Sequence, residues 1–210
     1  MKDSDRLVCT LILAGGLSKR MGGVIKTFLK FNDKTILDRI IDKTNNQNKN
    51  ILINANSDNF KISNKNYQII KDVIEGFKGP LAGIHSGFDW IHKNKLDYKW
   101  LVTVPSDTPF LPNNLIEELF DKILSTKCKI VLASHKNKIH PVIGIWDCSL
   151  KEDLEKNLKK GVRKIMNWVV NHEFEHINFE NEKYDPFFNI NTKQDLLSAK
   201  EIEDKLIKKI

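Results

Sequence analysis

Short and mostly apolar runs recur along the chain, and they have the length of strands. The first, Leu7 to Leu13, reads LVCTLIL and stops at Gly15-Gly16, which predicts a buried strand that ends in a glycine turn. Six further runs predict strands at Ile51 to Ala55, Tyr67 to Ile70, Trp100 to Val104, Ile130 to Ala133, Val142 to Trp146 and Glu175 to Asn178.

Helical patterns lie between these runs. A helix is expected after the basic pair of the first turn, and further helices are predicted at Ile36 to Lys43, Leu81 to Lys93, Pro112 to Leu124, Leu150 to Leu158, Arg163 to Val170 and Gln194 to Ile207. Strands that alternate with helices of this length favour right-handed crossovers. We therefore expect an α/β, Rossmann-like fold: a mostly parallel twisted sheet with helices on both faces, which binds ligands at the carboxyl ends of its strands.

Length and composition bound the organisation of the chain. Its 210 residues, 40% of them hydrophobic, suit one well-buried core, so we expect a single domain over residues 1–210. No stretch approaches 18 uninterrupted apolar residues, and Met1 to Arg6 lacks the apolar run of a secretory signal. We expect a soluble, cytoplasmic protein. Cys9, Cys128 and Cys148 are widely spaced and odd in number, which predicts plain core residues rather than disulfides or zinc ligands.

The formal net charge of +7 comes from lysines scattered along the chain rather than from one dense basic block. This excess of positive charge attracts a phosphate-rich ligand toward the protein surface. The sequence has no basic stripe with interleaved aromatic residues, so neither nucleic acid nor a membrane is an expected partner.

A glycine loop follows the first predicted strand. It reads LAGGLSKRMGG from Leu13 to Gly23, and Lys26 comes shortly after it. Glycines let a backbone approach phosphates closely, Lys19, Arg20 and Lys26 supply positive charge, and the loop N–H groups can cradle an anion. The pattern differs from those of dinucleotide binders and P-loops. It predicts a phosphate site; the alternative is a tight turn with incidental basic residues.

Asp107 follows the buried strand Trp100 to Val104, between two prolines. A carboxylate at the end of a parallel strand is well placed to bind a hard cation. Mg2+ on Asp107 would bridge a triphosphate and neutralise charge as pyrophosphate leaves. The alternative is that Asp107 only caps the following helix, with Thr108 helping.

Other polar residues follow neighbouring strands. Asp72, Asn54 and Asn56 can hydrogen-bond a base edge, a ribose or a metal-bound water, or can simply be turn residues. The segment from Gly79 to Gly83 (GPLAG) opens a predicted helix, and its small residues permit close approach of a nucleotide.

Six segments together resemble the molybdenum cofactor guanylyltransferase (MobA-type) family of nucleotidyltransferases. In order along the chain they are Leu13 to Lys26, Asn54-Ala55-Asn56, Gly79 to Gly83, Ser106-Asp107-Thr108-Pro109, His140-Pro141 and Asn189-Ile190-Asn191-Thr192. The resemblance spans Leu7 to about Leu197. One departure is Ile25, where the family's enzymes usually carry an acidic residue before the lysine.

The resemblance implies a fold of the nucleotide-diphospho-sugar transferase type and a Mg2+-dependent transfer of GMP from GTP to molybdopterin. The nucleotide-binding half would lie at about residues 1–110 and the acceptor-binding half at about 111–210. Catalytic roles are expected for Arg20, Lys26 and Asp107, with Asp107 as the metal ligand. Nucleotide contacts are expected at Leu13, Ala14, Gly15, Gly16, Lys26, Asn54, Asp72, Gly79 and Asp107, and acceptor contacts at Arg163, Asn189 and Asn191.

The residues of the acceptor half also have simpler interpretations. Arg163 near a helix start can clamp a phosphate or a pterin carbonyl, or be an exposed helix residue. Asn189 and Asn191 share one face of an extended segment and can bind a heterocycle or satisfy local backbone groups. His140 is interpreted as structural or ligand-facing, because the chemistry needs no catalytic base.

Two other functions stay open from the sequence. One is a cytidylyltransferase or other nucleotidyltransferase that acts on molybdopterin or on a sugar or alditol phosphate. The other is a non-catalytic nucleotide- or pterin-binding adaptor, which Lys26 and Asp107 argue against. GTP and molybdopterin are the expected ligands, and the protein partners to consider are those that handle molybdopterin or take part in the maturation of molybdoenzymes.

Overall fold

The apolar runs form a seven-stranded sheet. The computed structural model describes residues 3–15, 26–58, 60, 62, 67–76, 79–181 and 183–207, without the side chains of Lys26, Phe31 and Ile207. The strands of the sheet are β1 Val8–Leu13, β4 Ile51–Asn54, β5 Gln68–Ile70, β6 Trp100–Pro105, β7 Ile130–His135, β8 Lys138–Asp147 and β9 Phe174–Asn178. A separate antiparallel pair consists of β2 Lys30–Phe31 and β3 Lys34–Thr35.

Helices connect most of the strands. They are α1 Asp3–Leu7, α2 Ile36–Asn45, α3 Pro80–Lys93, α4 Leu115–Ser125, α5 Lys151–Lys159, α6 Ile165–Val169 and α7 Lys193–Ile207, with short 3-10 helices at Lys26–Phe28 and Cys148–Leu150. Helix α2 begins with a capping box, because the Thr35 hydroxyl accepts from the Asp38 N–H and the Asp38 carboxylate accepts from the Thr35 N–H.

The sheet order is β5-β4-β1-β6-β8-β7-β9. Strands β5, β4, β1 and β6 are parallel, β8 is antiparallel to both β6 and β7, and β9 is parallel to β7. This confirms a mostly parallel sheet, with β8 reversed. The carboxyl ends of β1, β4, β5, β6, β7 and β9 therefore meet at one edge, together with the beginning of β8.

The core has two layers because side chains alternate across the sheet. Val8 and Ile12 of β1 belong to the layer that buries residues of α2, α4 and α7. Cys9 and Leu11 belong to the other layer, which buries residues of α3, α5 and α6. Helices thus cover both faces of the sheet, as the alternation of elements predicted.

Strand β8 carries a bulge at a proline. Leu132 pairs with Gly144, but Ala133 pairs with His140, so residues 141–143 have no opposite partner on β7. Pro141 has no N–H to give to a ladder, and a bulge accommodates it. Strand β8 therefore begins at Lys138, upstream of the predicted Val142.

A two-residue turn joins β7 to β8. Its residues, Lys136 and Asn137, have φ values of 47° and 64°. Positive φ at both positions is the geometry of a tight hairpin turn, which asparagine and glycine favour and a lysine seldom adopts.

Several predicted elements differ in detail. Helix α6 begins at Ile165, so Arg163 precedes the helix. Helix α4 begins at Leu115 rather than Pro112. The helix predicted after the basic pair lies largely at residues outside those described, apart from the 3-10 helix. Helix α1 and the β2–β3 pair were not predicted, because both are too short to give a periodic pattern.

All three cysteines are free, as predicted, but only Cys9 is a buried core residue. Cys128 and Cys148 are half-buried: Cys128 lies in the connection between α4 and β7, and Cys148 begins the second 3-10 helix. Within the described part of the chain, no helix combines the length and the apolar character needed to cross a membrane. The division into halves at about residue 110 stays a prediction.

Candidate active site

The end of β1 lies between the ends of two other strands. Leu13 pairs with Asn54 of β4 on one side and with Pro105 of β6 on the other. The Ala14 N–H donates to the Asn54 carbonyl at 2.8 Å, and the Ser106 N–H donates to the Leu13 carbonyl at 3.0 Å. The first residues of the glycine loop are thereby fixed at the edge where the carboxyl ends of the parallel strands meet.

Two glycines permit close packing around this point. A Cβ added at Gly83 would lie 2.5 Å from Leu13 Cδ2 and 2.6 Å from Asn54 Oδ1, so the first turn of α3 packs directly against the ends of β1 and β4. At Gly15 an added Cβ would lie 3.3 Å from Asn56 Nδ2. The sequence assigned these small residues to the approach of a phosphate or nucleotide, which stays a prediction; the structure shows that they also let the chain pack closely on itself.

The Asp72 carboxylate is held by two amides. Asn54 Nδ2 donates to Asp72 Oδ1 at 2.9 Å, and Asn56 Nδ2 donates to Asp72 Oδ2 at 2.8 Å. The Asp72 N–H donates in turn to Asn56 Oδ1 at 2.8 Å. An ionised carboxylate has about four lone-pair positions, so Asp72 retains acceptor capacity for N–H or O–H groups of a ligand.

Ser86 supports the loop that carries Asp72, and sequence reasoning missed it. Its hydroxyl donates to the Ala82 carbonyl at 2.8 Å and accepts from the Val73 N–H at 2.9 Å. Ser86 is buried on α3, where its position in the sequence is that of an ordinary small core residue. A contact with a backbone 13 residues earlier leaves no local signal in the sequence.

Gly79 lies where the two halves of the chain approach each other. It precedes the 14-residue helix α3 with an extended backbone and has no side chain to cap the helix N-terminus, a position that favours an anion. A Cβ added at Gly79 would lie 3.7 Å from the Arg163 carbonyl oxygen. The structure therefore brings Arg163, which is exposed, to the same edge as the nucleotide-side residues.

Asp107 stands half-buried just beyond β6. Thr108 Oγ1 lies 3.4 Å from Asp107 Oδ1 and donates to Asn189 Oδ1 at 2.7 Å, and the Ile190 N–H donates to the Asp107 carbonyl at 2.9 Å. Residues from the far end of the chain are thus attached to the Asp107 segment. The alternative role as a helix cap is wrong, because α4 begins only at Leu115, after Asn114.

The two predicted acceptor asparagines have different surroundings. Asn189 is beside Thr108, as described above, whereas Asn191 lies at the start of α7. There the N–H groups of Asn191 and Thr192 both donate to Asp195 Oδ2 at 2.8 Å, and the Asp195 N–H donates to Thr192 Oγ1. Both asparagines have exposed side chains, and their contact with an acceptor stays a prediction.

Asp107 offers a hard oxygen ligand, which suits magnesium better than a transition metal. Within the described residues there is no group of three or more His, Cys, Asp or Glu side chains that could hold a metal ion. Mg2+ is usually held by one or two carboxylates together with substrate phosphates and water. The carboxylate of Asp107 fits this role. Gly16, Arg20 and the side chain of Lys26 lie outside the described residues, so their predicted roles stay predictions.

Solved structures with this architecture identify the class of fold. Molybdopterin-guanine dinucleotide biosynthesis protein A from Archaeoglobus fulgidus superimposes with a TM-score of 0.75 at 22% identity, covering 93% of this chain and 98% of that one. The 4-diphosphocytidyl-2C-methyl-D-erythritol synthase from Anaerococcus prevotii gives 0.72 at 14% identity, covering 96% and 97%. The fold is that of nucleotidyltransferases of the nucleotide-diphospho-sugar transferase type.

Sequence relatives then identify the family. Residues 10–176 match the MobA-like NTP transferase domain. Molybdenum cofactor guanylyltransferases from Rhodopseudomonas palustris (strain BisB5) and Shewanella putrefaciens (strain CN-32 / ATCC BAA-453) are each 35% identical, over 193 and 182 residues. These matches cover 91% and 87% of this chain and 92% and 90% of the relatives. The chain belongs to the MobA-like NTP transferase family, which confirms the resemblance of its motifs.

Proposed function

We propose that this protein transfers GMP from GTP to molybdopterin, with release of pyrophosphate. The observation that carries the proposal is the placement of two carboxylates on either side of the start of the glycine loop. Asp72 is attached to the β4 side of Leu13 through Asn54, and Asp107 follows the β6 strand on the other side. The names of the 35% identical relatives support the same substrates.

Asp72 supports the choice of a guanine base. The Asn54 and Asn56 amides fix both of its oxygens, and the remaining lone pairs can only accept hydrogen bonds. The Watson–Crick edge of guanine offers two adjacent donors, whereas that of cytosine offers one. We infer that Asp72 reads the guanine donors.

Asp107 is proposed to act on the phosphates. When Mg2+ is bound there with the triphosphate, it neutralises charge on the reacting and leaving phosphates. Lys26, Arg20 and the N–H groups of the glycine loop are proposed to hold the same phosphates. The phosphate oxygen of the acceptor is already ionised at neutral pH, so alignment and charge neutralisation are needed rather than a general base.

Arg163, Asn189 and Asn191 are proposed to face the acceptor. The attachment of Asn189 to Thr108, next to Asp107, supports this proposal because the attacking phosphate must come close to the metal ligand. The carbonyl of Arg163 near Gly79 supports it as well, since it brings the acceptor half to the nucleotide half.

Pyrophosphate release from GTP, CTP, UTP and ATP, each with molybdopterin and with or without Mg2+, tests this function. We expect release with GTP, dependent on both Mg2+ and the acceptor. A strong preference for CTP would replace GTP in the proposal. Nucleotide binding that is equal with and without Mg2+, and without any pyrophosphate, would instead favour a non-catalytic adaptor.

A further inference from the structure

Helices α3 and α5 pack side by side, and ionisable side chains join them. Lys151 Nζ of α5 lies 3.3 Å from Asp89 Oδ1 of α3, and His85 Nε2 of α3 lies 3.9 Å from Glu155 Oε2 of α5. Between these two pairs the residue number rises along one helix and falls along the other, so the helices run antiparallel. None of these four residues has a role in the function proposed above.

The two carboxylates of this interface have matching surroundings. Each pairs with the lysine four residues later on its own helix. Lys93 Nζ lies 2.8 Å from Asp89 Oδ2. Lys159 Nζ lies 2.5 Å from Glu155 Oε1. Across the interface, Asp89 faces a lysine whereas Glu155 faces His85. The second bridge between the helices is therefore an ion pair only when the imidazole carries an extra proton.

His85 is buried in this interface with 2% of its surface exposed, and neither ring nitrogen has a hydrogen-bond partner among the described residues. Burial lowers the pKa of His85 below its ordinary value. The facing carboxylates of Glu155 and Asp89 oppose this shift. The ammonium groups of Lys151 and Lys159 reinforce it. The imidazole is therefore neutral at pH 7, and adding a proton to it in place is less favourable than in water.

Helix α5 is the more weakly held of the two helices. It has nine residues, of which only Leu154 and Leu158 are buried, whereas ten of the fourteen residues of α3 are buried. A further contact of α5 is polar, because Asp153 Oδ2 accepts from Trp168 Nε1 at 2.7 Å. Short elements with few buried apolar side chains open at a small fraction of the global free energy of unfolding. Protonation of His85 should therefore displace α5 rather than α3.

A displacement of α5 reaches the edge that carries the candidate site. The Gly161 N–H donates to the Leu158 carbonyl at 2.9 Å, and Gly161 has a φ of 88°, so a left-handed glycine turn ends the helix. Arg163 follows two residues later, and its carbonyl oxygen lies beside Gly79 at the start of α3. Movement of α5 therefore alters the contact between Arg163 and Gly79.

We propose that the α3–α5 pair is a proton-sensitive joint. Protonation of His85 loosens α5, together with the turn that leads to Arg163, from α3, while the sheet stays folded. The joint is separate from the reaction proposed above, and it affects that site through the contact of Arg163 with Gly79.

The direction of the pH dependence follows from the exposure of the imidazole. In the closed pair His85 is neutral at pH 7, and in the open pair it is in water with an ordinary pKa of about 6.5. The open form therefore binds more protons than the closed form below about pH 6.5, and opening becomes more favourable as the pH falls. One proton changes the opening equilibrium by at most about tenfold per pH unit.

Hydrogen exchange of the backbone amides of residues 151–163, at about pH 7.5 and about pH 5.5, tests the proposal. Two matched variants, His85→Gln and His92→Gln, replace a buried and an exposed imidazole of the same helix. The exchange rate of each protein is divided by that of His85→Gln at the same pH, which cancels the chemical pH dependence of exchange. We expect this ratio to rise about tenfold toward the lower pH in the native protein and in His92→Gln.

Two results would overturn the joint. One is a ratio that stays constant with pH, since His85 would then not control the opening. The other is an equal rise at residues 101–104 of β6, which would indicate global unfolding. If His85→Gln does not fold, His85→Leu takes its place, because carbon then replaces two unpartnered buried nitrogens and stability should not fall.

The effect of the joint on the site is tested separately, because it rests on the proposed function. A ligand that contacts both Arg163 and the start of α3 favours the closed pair. GTP, Mg2+ and molybdopterin, each about tenfold above its Kd, should therefore slow exchange of residues 151–163 about tenfold at about pH 5.5. Unchanged exchange in a protein that releases pyrophosphate would overturn this link. A protein that releases none would refute the proposed function, and the comparison with His85→Gln would still decide the joint.

Discussion

The carboxyl ends of the parallel strands meet at one edge of the sheet. There the proposed nucleotide side and the proposed acceptor side are built from different kinds of group. On the nucleotide side, at the ends of β1 and β4 and the start of α3, short polar side chains are bonded to one another. Asn54, Asn56 and Asp72 form one such network, and glycines let the backbones pack closely. On the proposed acceptor side, around the β7–β8 hairpin and residues 183–192, long charged side chains surround a cavity, and His140 Nε2 has no hydrogen-bond partner among the described residues.

This difference separates two ways of preparing a binding site. On the proposed nucleotide side the amides of Asn54 and Asn56 already orient the Asp72 carboxylate, so binding a base there would cost little ordering entropy. On the proposed acceptor side the lysines that line the cavity are exposed, so a bound anion would have to order their rotamers. Substitutions on the nucleotide side should therefore alter binding by disturbing its geometry, and those on the acceptor side by changing its charge. Asp107 lies between the two sides.

Asp107→Asn is expected to have the largest effect. The amide keeps the shape of the side chain and removes the charge that would hold Mg2+, so kcat for pyrophosphate release should fall about 100- to 1,000-fold. The comparable change Asp97→Asn, in the exposed turn before β6 at the opposite edge, should leave kcat unchanged. If Asp107→Asn has a kcat near that of the native protein, Asp107 takes no part in the reaction.

Asp72→Asn tests how the nucleotide side reads the base. The new amide group places a donor against the donors of guanine, and the two asparagine amides lose one of their acceptors. The ratio of kcat/KM for GTP over CTP is expected to fall by about 5- to 150-fold, which corresponds to about 1–3 kcal/mol. An unchanged ratio would mean that Asp72 contacts a part of the nucleotide that both substrates share.

Gly83→Ala tests the close packing of α3 against β1. The added Cβ would overlap Leu13 and Asn54, so α3 must shift, and the free energy of unfolding should fall by about 1–3 kcal/mol. Gly87→Ala is a matched control, because its Cβ would lie 2.8 Å from Leu101 Cδ2 in the core, away from the site. Both variants should lose stability, but only Gly83→Ala should weaken GTP binding in equilibrium titrations. Equal GTP affinity in both would contradict a rigid nucleotide side.

The pH dependence of stability gives the smallest expected effect and concerns the acceptor side. Burial lowers the pKa of His140 below its ordinary value; Lys138 and His135 act in the same direction, and Asp185 opposes them. The unfolded chain then binds more protons than the folded one just below about pH 6.5, so stability falls as the pH falls through that value. His140→Phe should reduce this slope by at most about 1.4 kcal/mol per pH unit in denaturant titrations. The same slope in His140→Phe and in the native protein would contradict a contribution of His140 to the pH dependence of stability.

Residues that directly follow a strand could be placed at the candidate site from the sequence alone. Asp107 and Asn54 each follow a short apolar run, and in a parallel sheet such positions meet at one edge whatever the rest of the chain does. The positions of Gly79 and Gly83 were predicted for the same reason, because they begin a helix after a strand. Lys26 and Arg20 were assigned by motif, and their places in the site stay predictions.

Other features depend on contacts between distant segments and leave no local pattern. Ser86 looks like a small residue of an apolar helix face, and its bond to Val73 requires the register of α3 against a loop. Pro141 interrupted the strand pattern, so the early part of β8, with Lys138 and His140, was not assigned to a strand. The cavity needs both that segment and residues more than 40 positions later, which only the folded chain brings together.

The antiparallel strand β8 concentrates the wall of the cavity in one short segment of the chain. Because β7 and β8 are joined by the two-residue turn of Lys136 and Asn137, one continuous stretch of chain supplies much of the wall on the acceptor side. Replacement of that stretch by a hairpin of another length or charge would change the wall of the cavity, while the crossovers between the parallel strands are left untouched. The wall of the cavity can therefore vary independently of the parallel part of the sheet.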